Sequence, residues 1–159
     1  MKLNYEVREI SFDEVEFLSK EILSKIREEN ISIDTLVPVL RGGMVLSMIL
    51  QKNMEQVDTS CIHIKRSESN EVNASFGSPN FYGITNEHAI TGKRILIVED
   101  IIDSGKSLDF VIQKIKEYHP AKIYVATLYN FNQDKYQTVF SGKKEKPLWI
   151  VFPWEHAYE

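Results

Sequence analysis

The sequence predicts an α/β fold in which helices flank a mainly parallel β-sheet. Three observations predict it: short apolar runs recur along the chain, amphipathic segments separate them, and turn-forming or charged residues bound them. Strands that alternate with helices indicate a parallel sheet, because parallel strands need a crossover connection that is usually a helix. The 159 residues contain no repeat and no linker, so we expect one domain, residues 1–159.

The first predicted element is an amphipathic helix. Ser11 and Glu14 have the spacing of a capping box, and apolar residues follow at helical spacing to about Glu29. Apolar runs then predict strands at 35–40, 61–65, 94–98, 123–128 and 148–152, and apolar periodicity predicts helices at 43–52 and 107–118. Residues 66–89 lack clear periodicity, which is typical of a lid, a hairpin or a disordered loop.

Composition excludes several classes of protein. With 43% hydrophobic and 26% charged residues the chain is not disordered, and its net charge of −4 argues against binding to nucleic acid. No run is long enough to span a membrane, and the acidic N-terminal region does not resemble a signal peptide. The single cysteine, Cys61, allows no internal disulfide. We therefore expect a cytoplasmic protein without a membrane partner.

The most informative segment begins with the apolar run at 94–98. Glu99 and Asp100 follow it, and a turn through Asp103, Ser104 and Gly105 leads into a predicted helix. Ligands of α/β sheets bind at such strand ends, and a helix N-terminus attracts phosphate. Ordinary capping by Ser104 or Asp103 would also account for the turn. It would not account for two adjacent carboxylates, which need cations or hydroxyl donors such as Mg²⁺ or ribose.

Residues 96–107 resemble the phosphoribosyl-diphosphate (PRPP) binding motif of type I phosphoribosyltransferases, especially the purine-salvage enzymes. The resemblance implies that Glu99 and Asp100 contact the ribose hydroxyls, and that they help to hold Mg²⁺ through substrate or water. It places Asp103 near N7 of a purine, where it either accepts a proton as the catalytic base or only positions the purine. The 5′-phosphate would be held by Asp103, Ser104, Gly105, Lys106 and Ser107.

A second match lies at Leu40, Arg41, Gly42 and Gly43, between a predicted strand and a predicted helix. These residues have the position and the residue types of the family's pyrophosphate loop. Alone, these residues would also suit a plain Gly-Gly turn. In the family this loop can contain a cis peptide bond, here at Leu40-Arg41. The sequence does not show which isomer is present.

The C-terminal residues 147–159 resemble the base-binding hood of bacterial xanthine-guanine phosphoribosyltransferases. The resemblance implies that Trp149 stacks on the purine and that backbone groups near Ile150 and Glu155 meet its polar edge, whereas Trp154 is expected in the core. Residues 66–89 stand where the family has its flexible active-site loop. The candidate polar contacts in that loop are Ser67, Ser69 and Ser75.

The resemblance implies a type I phosphoribosyltransferase fold and an enzyme that transfers the phosphoribosyl group of PRPP to a purine. One position departs from the family: Phe131, or Asn130 with a one-residue shift, replaces the lysine that recognises a 6-oxo group. We therefore expect a purine substrate with only a modest preference for 6-oxopurines. A PRPP-sensing regulator and a transferase for a non-purine acceptor remain alternatives. Family members usually form homodimers or homotetramers, and the helix at 43–52 could contribute a subunit contact.

Overall fold

The computed structural model describes residues 6–65, 79–136 and 138–156. In chain order, its elements are β1 Val7–Glu9, α1 Phe12–Glu28, β2 Thr35–Leu40, α2 Gly43–Lys52, β3 Asp58–Thr59, β4 Ile62–Lys65, β5 Asn80–Ile84, β6 Arg94–Ile102, α3 Lys106–Lys116, β7 Lys122–Asn130, β8 Phe140–Lys144 and β9 Trp149–Val151. Two short 3-10 segments, Glu87–Ala89 and Pro153–Glu155, complete the described secondary structure.

The main sheet confirms the predicted α/β class. In the described part of the chain its strand order is β5-β4-β2-β6-β7-β8, and β3 also pairs with β2. The strand pairs are parallel except for β4 and β5, which are antiparallel. Sequential strands joined through helices therefore form the parallel centre, as the alternation of apolar runs predicts.

Helices cover both faces of this sheet. Along β6, Leu96 and Val98 pack in the cluster that includes α1 and α2, whereas Ile95 and Ile97 pack in the cluster that includes α3. Successive side chains of a strand point to opposite faces, so a strand that is buried on both faces has a continuous apolar run. In the described residues, no helix has the length and apolarity needed to cross a bilayer.

Helix α1 begins as its capping residues predict. The Ser11 hydroxyl accepts a hydrogen bond from the Glu14 N–H at 3.2 Å. Val15 and Ile22 are fully buried on one face, while Phe17 on the opposite face is 61% exposed. The capping bond and the apolar stripe together explain where the helix starts and which face packs on the sheet.

The sequence does not predict β1, β3 or β8, and several predicted boundaries shift. Strand β6 extends past Val98 to Ile102, because Glu99, Ile101 and Ile102 remain paired with β7. The two carboxylates therefore belong to the strand instead of following it. In the later part of 66–89, β5 pairs antiparallel with β4, which agrees with the hairpin among the alternatives for this segment, and a 3-10 segment follows at Glu87–Ala89.

The C-terminal strand lies outside the main sheet. Strand β9 pairs in parallel with β1, and the two form a separate two-stranded sheet. Trp154 lies beyond β9, where its ring stacks on Phe152 at 4.7 Å and packs against the core, as predicted. Trp149 is 62% exposed at the start of β9.

Candidate functional site

The candidate site lies at the carboxyl ends of two neighbouring parallel strands. Strands β2 and β6 are adjacent, but α2 packs on one face of the sheet and α3 on the other. The connections that leave β2 and β6 therefore separate and open a crevice between them. Ligands of open α/β sheets bind at such a crossover point.

The crevice contains a cleft of about 280 Å³ that brings together most of the predicted phosphate and ribose residues. Its lining includes Leu40, Gly42, Glu99, Asp100, Asp103, Gly105 and Ser107, together with the apolar residues Val39, Ile64, Ile101, Ile102 and Leu108. Two segments that are far apart in the sequence, 39–42 and 99–108, therefore face one cavity together with Ile64. The lining does not include Arg41, Gly43, Ser104, Lys106, Phe131, Trp149, Ile150 or Glu155.

The 40–43 segment approaches β6 closely. The peptide bond between Leu40 and Arg41 is cis, as the family resemblance suggests. A Cβ atom at Gly42 would overlap the Asp100 carboxylate, and one at Gly43 would overlap the Val98 carbonyl oxygen. The two glycines are therefore needed so that this loop can lie against the carboxylate strand.

Residues 103–107, which we call the phosphate turn, connect β6 to α3. Gly105 is the N-cap of α3 and has a φ of 79°, so the helix begins without a capping side chain. The Ser104 hydroxyl is 3.5 Å from the Lys106 nitrogen, at the outer limit of hydrogen-bond length. Neither Ser104 nor Asp103 is the N-cap. The N-terminus of α3 faces the cleft with backbone donors, which suits an anion.

Two side chains that the sequence does not single out contact this turn. The Asn132 side-chain amide donates to the Ser104 carbonyl oxygen at 3.2 Å, and the Tyr136 hydroxyl lies 3.0 Å from the Gly105 carbonyl oxygen. Both belong to the connection between β7 and β8. No motif marks this polar connection, so only the fold could reveal the contacts.

Tyr136 and Lys135 also contact Asp109 in the first turn of α3. The Tyr136 hydroxyl donates to Asp109 Oδ1 at 2.6 Å, and Lys135 forms an ion pair with Oδ2. Desolvation raises the pKa of Asp109, but these hydrogen bonds outweigh it and hold the pKa below its ordinary value. Desolvation and the bond to Asp109 raise the pKa of Tyr136, so this phenol stays protonated at neutral pH.

The same connection begins where the family's lysine would stand. Asn130 is fully buried, and its side-chain oxygen accepts from the Asn132 N–H at 3.0 Å. The Phe131 N–H donates to the Ile102 carbonyl oxygen at 2.8 Å, and its ring packs against the core. Lys135 is paired with Asp109. None of these groups therefore presents an uncommitted cation in place of the lysine.

The small sheet of β1 and β9 presents the predicted base-binding residues. The Trp149 N–H donates to the Glu6 carbonyl oxygen at 2.9 Å, and the Val151 carbonyl accepts from the Ile10 N–H at 3.1 Å. Successive residues of a strand direct their backbone groups to opposite sides, so Ile150 directs its N–H and C=O away from β1. The Glu155 carboxylate accepts from the Phe152 N–H at 2.8 Å.

Some predicted features lie elsewhere. Ser67, Ser69 and Ser75 lie outside the described residues. Within residues 6–65, 79–136 and 138–156, no group of three or more His, Cys, Asp or Glu side chains could hold a metal ion. Mg²⁺ is often held by one or two carboxylates together with substrate phosphates. Glu99 and Asp100 line the cleft as a pair and suit an ion bound in that shared way.

Comparison with known proteins agrees with this arrangement. A family model described as a phosphoribosyl transferase domain matches residues 8–159. A xanthine-guanine phosphoribosyltransferase of Cereibacter sphaeroides is 29% identical over 126 residues, which cover 78% of this chain and 70% of the relative. The human hypoxanthine-guanine phosphoribosyltransferase is 28% identical over 123 residues, which cover 73% of this chain and 55% of the relative. The match thus spans little more than half of the human protein.

Solved structures share the fold. A purine phosphoribosyltransferase from Pyrococcus horikoshii superimposes with a TM-score of 0.78 at 24% identity, covering 97% of both chains. The xanthine-guanine-hypoxanthine phosphoribosyltransferase of Helicobacter pylori gives a TM-score of 0.70 at 26% identity, covering 96% of this chain and 94% of the other. Since the family match extends over almost the whole sequence, this chain belongs to the phosphoribosyltransferase family.

Proposed function

We propose that the chain transfers the 5-phosphoribosyl group of PRPP to a purine base and forms a nucleoside 5′-monophosphate and pyrophosphate. One observation carries the proposal: the 40–43 loop, the Glu99-Asp100 pair and the phosphate turn line a single cleft. PRPP has a pyrophosphate, two ribose hydroxyls and a 5′-phosphate. These three chemical groups correspond to the three segments, in an order that one molecule of PRPP can span.

Each segment has a distinct part in binding. The 5′-phosphate accepts hydrogen bonds from backbone donors at the N-terminus of α3, where the helix dipole favours negative charge. The ribose hydroxyls donate to Glu99 and Asp100. The pyrophosphate lies at the 40–43 loop, whose glycines allow the backbone to approach closely. Glu99 and Asp100 would help to hold a Mg²⁺ ion through the substrate or water, and such an ion would supply positive charge that stabilises the leaving pyrophosphate.

The reaction breaks the bond between ribose C1 and the pyrophosphate oxygen and forms a bond between C1 and N9 of the purine. The base gives up one proton, and the role proposed for Asp103, which lines the cleft, is to accept that proton or to hold N7. Catalysis then depends mainly on position, because the chain holds the donor and acceptor in one orientation. Carboxylates near C1 also favour the positive charge that develops on the sugar.

The base site is proposed to lie at the β1–β9 sheet. Trp149 exposes a large aromatic face that can stack on a purine. The backbone N–H and C=O of Ile150 point away from β1 and are free of that strand to bond the polar edge of the base. With Phe131 in place of lysine, and with Lys135 paired with Asp109, the described residues 130–135 offer a 6-oxo group no uncommitted cation. Losing a charge-assisted hydrogen bond costs about 1.5–3 kcal/mol, so we expect 6-oxopurines to be favoured only modestly.

A panel of bases tests this function. The chain is incubated with Mg²⁺, PRPP and hypoxanthine, guanine, xanthine, adenine or a pyrimidine, and nucleotides are detected by mass. We expect product with purines only, and an increase in kcat/KM for 6-oxopurines in Phe131→Lys. Phe17→Lys is the matched control, because Phe17 is exposed on α1 away from the cleft. PRPP binding without product from any base would instead favour a sensing protein, and product from a pyrimidine alone a different acceptor.

Assembly into a homodimer or homotetramer is also proposed. Met44 and Met48 are 45% and 68% exposed on α2, next to the loop at 40–43. Burial of such apolar side chains is the common driving force for association. Sedimentation at micromolar concentration tests the proposal, and a profile of monomer alone would contradict it.

A further inference from the structure

Two side chains of the connection between β7 and β8 contact backbone carbonyl groups of the phosphate turn. Asn132 donates to the Ser104 carbonyl oxygen at 3.2 Å, and Tyr136 lies 3.0 Å from the Gly105 carbonyl oxygen. Asn132 and Tyr136 do not line the cleft, whereas Gly105 and Ser107 do. Asn132 and Tyr136 therefore contact the turn from outside the set of residues that line the cleft.

The contact with Asn132 fixes the direction of one backbone N–H group. In a trans peptide the C=O and N–H bonds point to opposite sides. Because the Ser104 carbonyl is held toward Asn132, the Gly105 N–H points away from Asn132, and Gly105 lines the cleft. The Gly105 carbonyl accepts from the Asp109 N–H at 2.9 Å, so the first turn of α3 and the Tyr136 hydroxyl both lie beside this carbonyl.

Two further contacts support the same role for Tyr136. Its ring lies so close to Gly105 that a Cβ atom there would overlap it. Its hydroxyl also reaches the Asp109 carboxylate at 2.6 Å, which joins the turn to the first turn of α3. The ring and the hydroxyl thus constrain the turn and the helix start together.

We propose that Asn132 and Tyr136 are positioning residues for the 5′-phosphate of the substrate. Asn132 holds the Ser104 carbonyl, and Tyr136 packs against Gly105 and bonds to Asp109, so that together they keep the Gly105 N–H and the start of α3 in position for the phosphate. This inference rests on the proposed function, since it names residues that act on the ligand through the turn. It adds the β7–β8 connection to the parts of the chain that determine PRPP affinity.

Tyr136→Phe tests the proposal, because it keeps the ring against Gly105 and removes only the hydroxyl. Affinities for Mg²⁺-PRPP and for Mg²⁺-pyrophosphate are measured by calorimetry. PRPP affinity should fall about three- to ten-fold, because the hydroxyl no longer links the phosphate turn to Asp109. Pyrophosphate affinity should stay unchanged, because pyrophosphate has no 5′-phosphate. Tyr124→Phe is the matched control, since Tyr124 lies at the opposite end of β7.

Asn132→Ala provides an independent second variant, and a thermal melt verifies that each variant folds. In turnover, both variants should raise KM for PRPP with little change in kcat, which indicates lost ground-state binding. Equal losses for PRPP and pyrophosphate, or unchanged PRPP affinity in both variants, would overturn the positioning role. A wild type that binds pyrophosphate and PRPP equally well would overturn it too. A wild type that binds no PRPP at all would contradict the proposed function itself.

Discussion

Two features of the structure require a glycine at position 105. Its φ of 79° is a conformation that side chains other than glycine rarely adopt, and a Cβ atom there would overlap the Tyr136 ring. Gly92 has a similar φ of 71°, but a Cβ atom there would meet no atom within 4 Å. Substitution of Gly92 therefore measures only the cost of placing a side chain at a positive φ, whereas substitution of Gly105 adds the cost of a collision with Tyr136.

Gly92→Ala should lower the free energy of unfolding by about 1 kcal/mol, the cost of a left-handed alanine. Gly105→Ala should lower it by about 1–3 kcal/mol more, because the collision with Tyr136 is added. It should also weaken PRPP binding, whereas Gly92→Ala should not. Urea unfolding and calorimetry measure both effects. Equal destabilisation by the two substitutions would contradict the close approach of Tyr136.

The proposed role of the Glu99 and Asp100 carboxylates in PRPP binding can be tested by neutralising both of them. Asp100 Oδ1 accepts from the Ile101 N–H at 2.7 Å, and asparagine keeps an oxygen that can accept this bond. The double variant Glu99→Gln, Asp100→Asn should therefore fold but bind Mg²⁺-PRPP about 1–3 kcal/mol more weakly. Asp58→Asn, an exposed change on β3, is the control for lost charge. Unchanged PRPP affinity in the double variant would refute the assignment of these residues.

At the scale of elements, a charged network joins the β1–β9 sheet to the body of the protein. Arg8 on β1 pairs with Glu14 on α1 at 3.1 Å and with Glu145 at 3.3 Å. The buried Tyr129 donates to Glu14 at 2.6 Å, and burial together with this bond raises the pKa of Tyr129 far above its ordinary value. Since β1 carries the partner of Trp149, the network fixes where the proposed base site lies.

Arg8→Ala should cost about 1 kcal/mol of stability, because the pairs are partly shielded from solvent. It should raise KM for the base and leave KM for PRPP unchanged. Lys20→Ala removes the exposed pair with Glu16 and serves as the control, with an expected cost near zero. If KM for PRPP rises as much as KM for the base, the network does not act through the β1–β9 sheet.

The starts of β2 and β6 are joined by a second charged contact, which predicts a pH dependence. Asp34 accepts hydrogen bonds from the Arg94 side chain and backbone at 2.6–2.9 Å, and these bonds hold its pKa well below the ordinary range. A lowered pKa in the folded state stabilises the fold above the unfolded pKa of about 3.9. This contribution is lost as the pH falls below that value.

The stability difference between wild type and Asp34→Asn should therefore be constant at neutral pH and shrink below about pH 4. Chemical denaturation at several pH values gives this difference directly. Asp58→Asn, an exposed change on the short strand β3, is measured in parallel as the control for the loss of a carboxylate. A difference that stays constant down to about pH 2 would contradict the sign derived from Asp34.

The sequence predicts the elements that local patterns specify and misses those that depend on distant partners. The run Thr35–Leu40 is apolar and buried on both faces, so β2 is predicted with its observed bounds. Strand β5, Asn80–Ile84, has no apolar alternation, and its only described strand partner is β4. The extension of β6 through Glu99 likewise depends on pairing with β7. Such pairings depend on partner strands elsewhere in the sequence, so the residues of one segment do not predict them.

The candidate site shows the same division at the scale of the whole molecule. The 40–43 loop and the phosphate turn follow motifs, so the sequence indicates them although about sixty residues separate them. Asn132 and Tyr136 follow no motif, and only the assembled sheet brings the β7–β8 connection into contact with the turn. The fold thus brings two short motifs together around one cavity and adds contacts that no local sequence pattern predicts.

The most direct test of the whole account is the stoichiometry of the reaction. Pyrophosphate and nucleoside 5′-monophosphate are measured together after wild type is incubated with Mg²⁺, PRPP and a purine. Because the proposed reaction forms one C1–N9 bond for each C1–O bond that breaks, the two products should accumulate in equal amounts, and at limiting PRPP both should form more slowly in the Glu99→Gln, Asp100→Asn variant. Pyrophosphate without nucleotide, or PRPP binding without either product, would contradict the account.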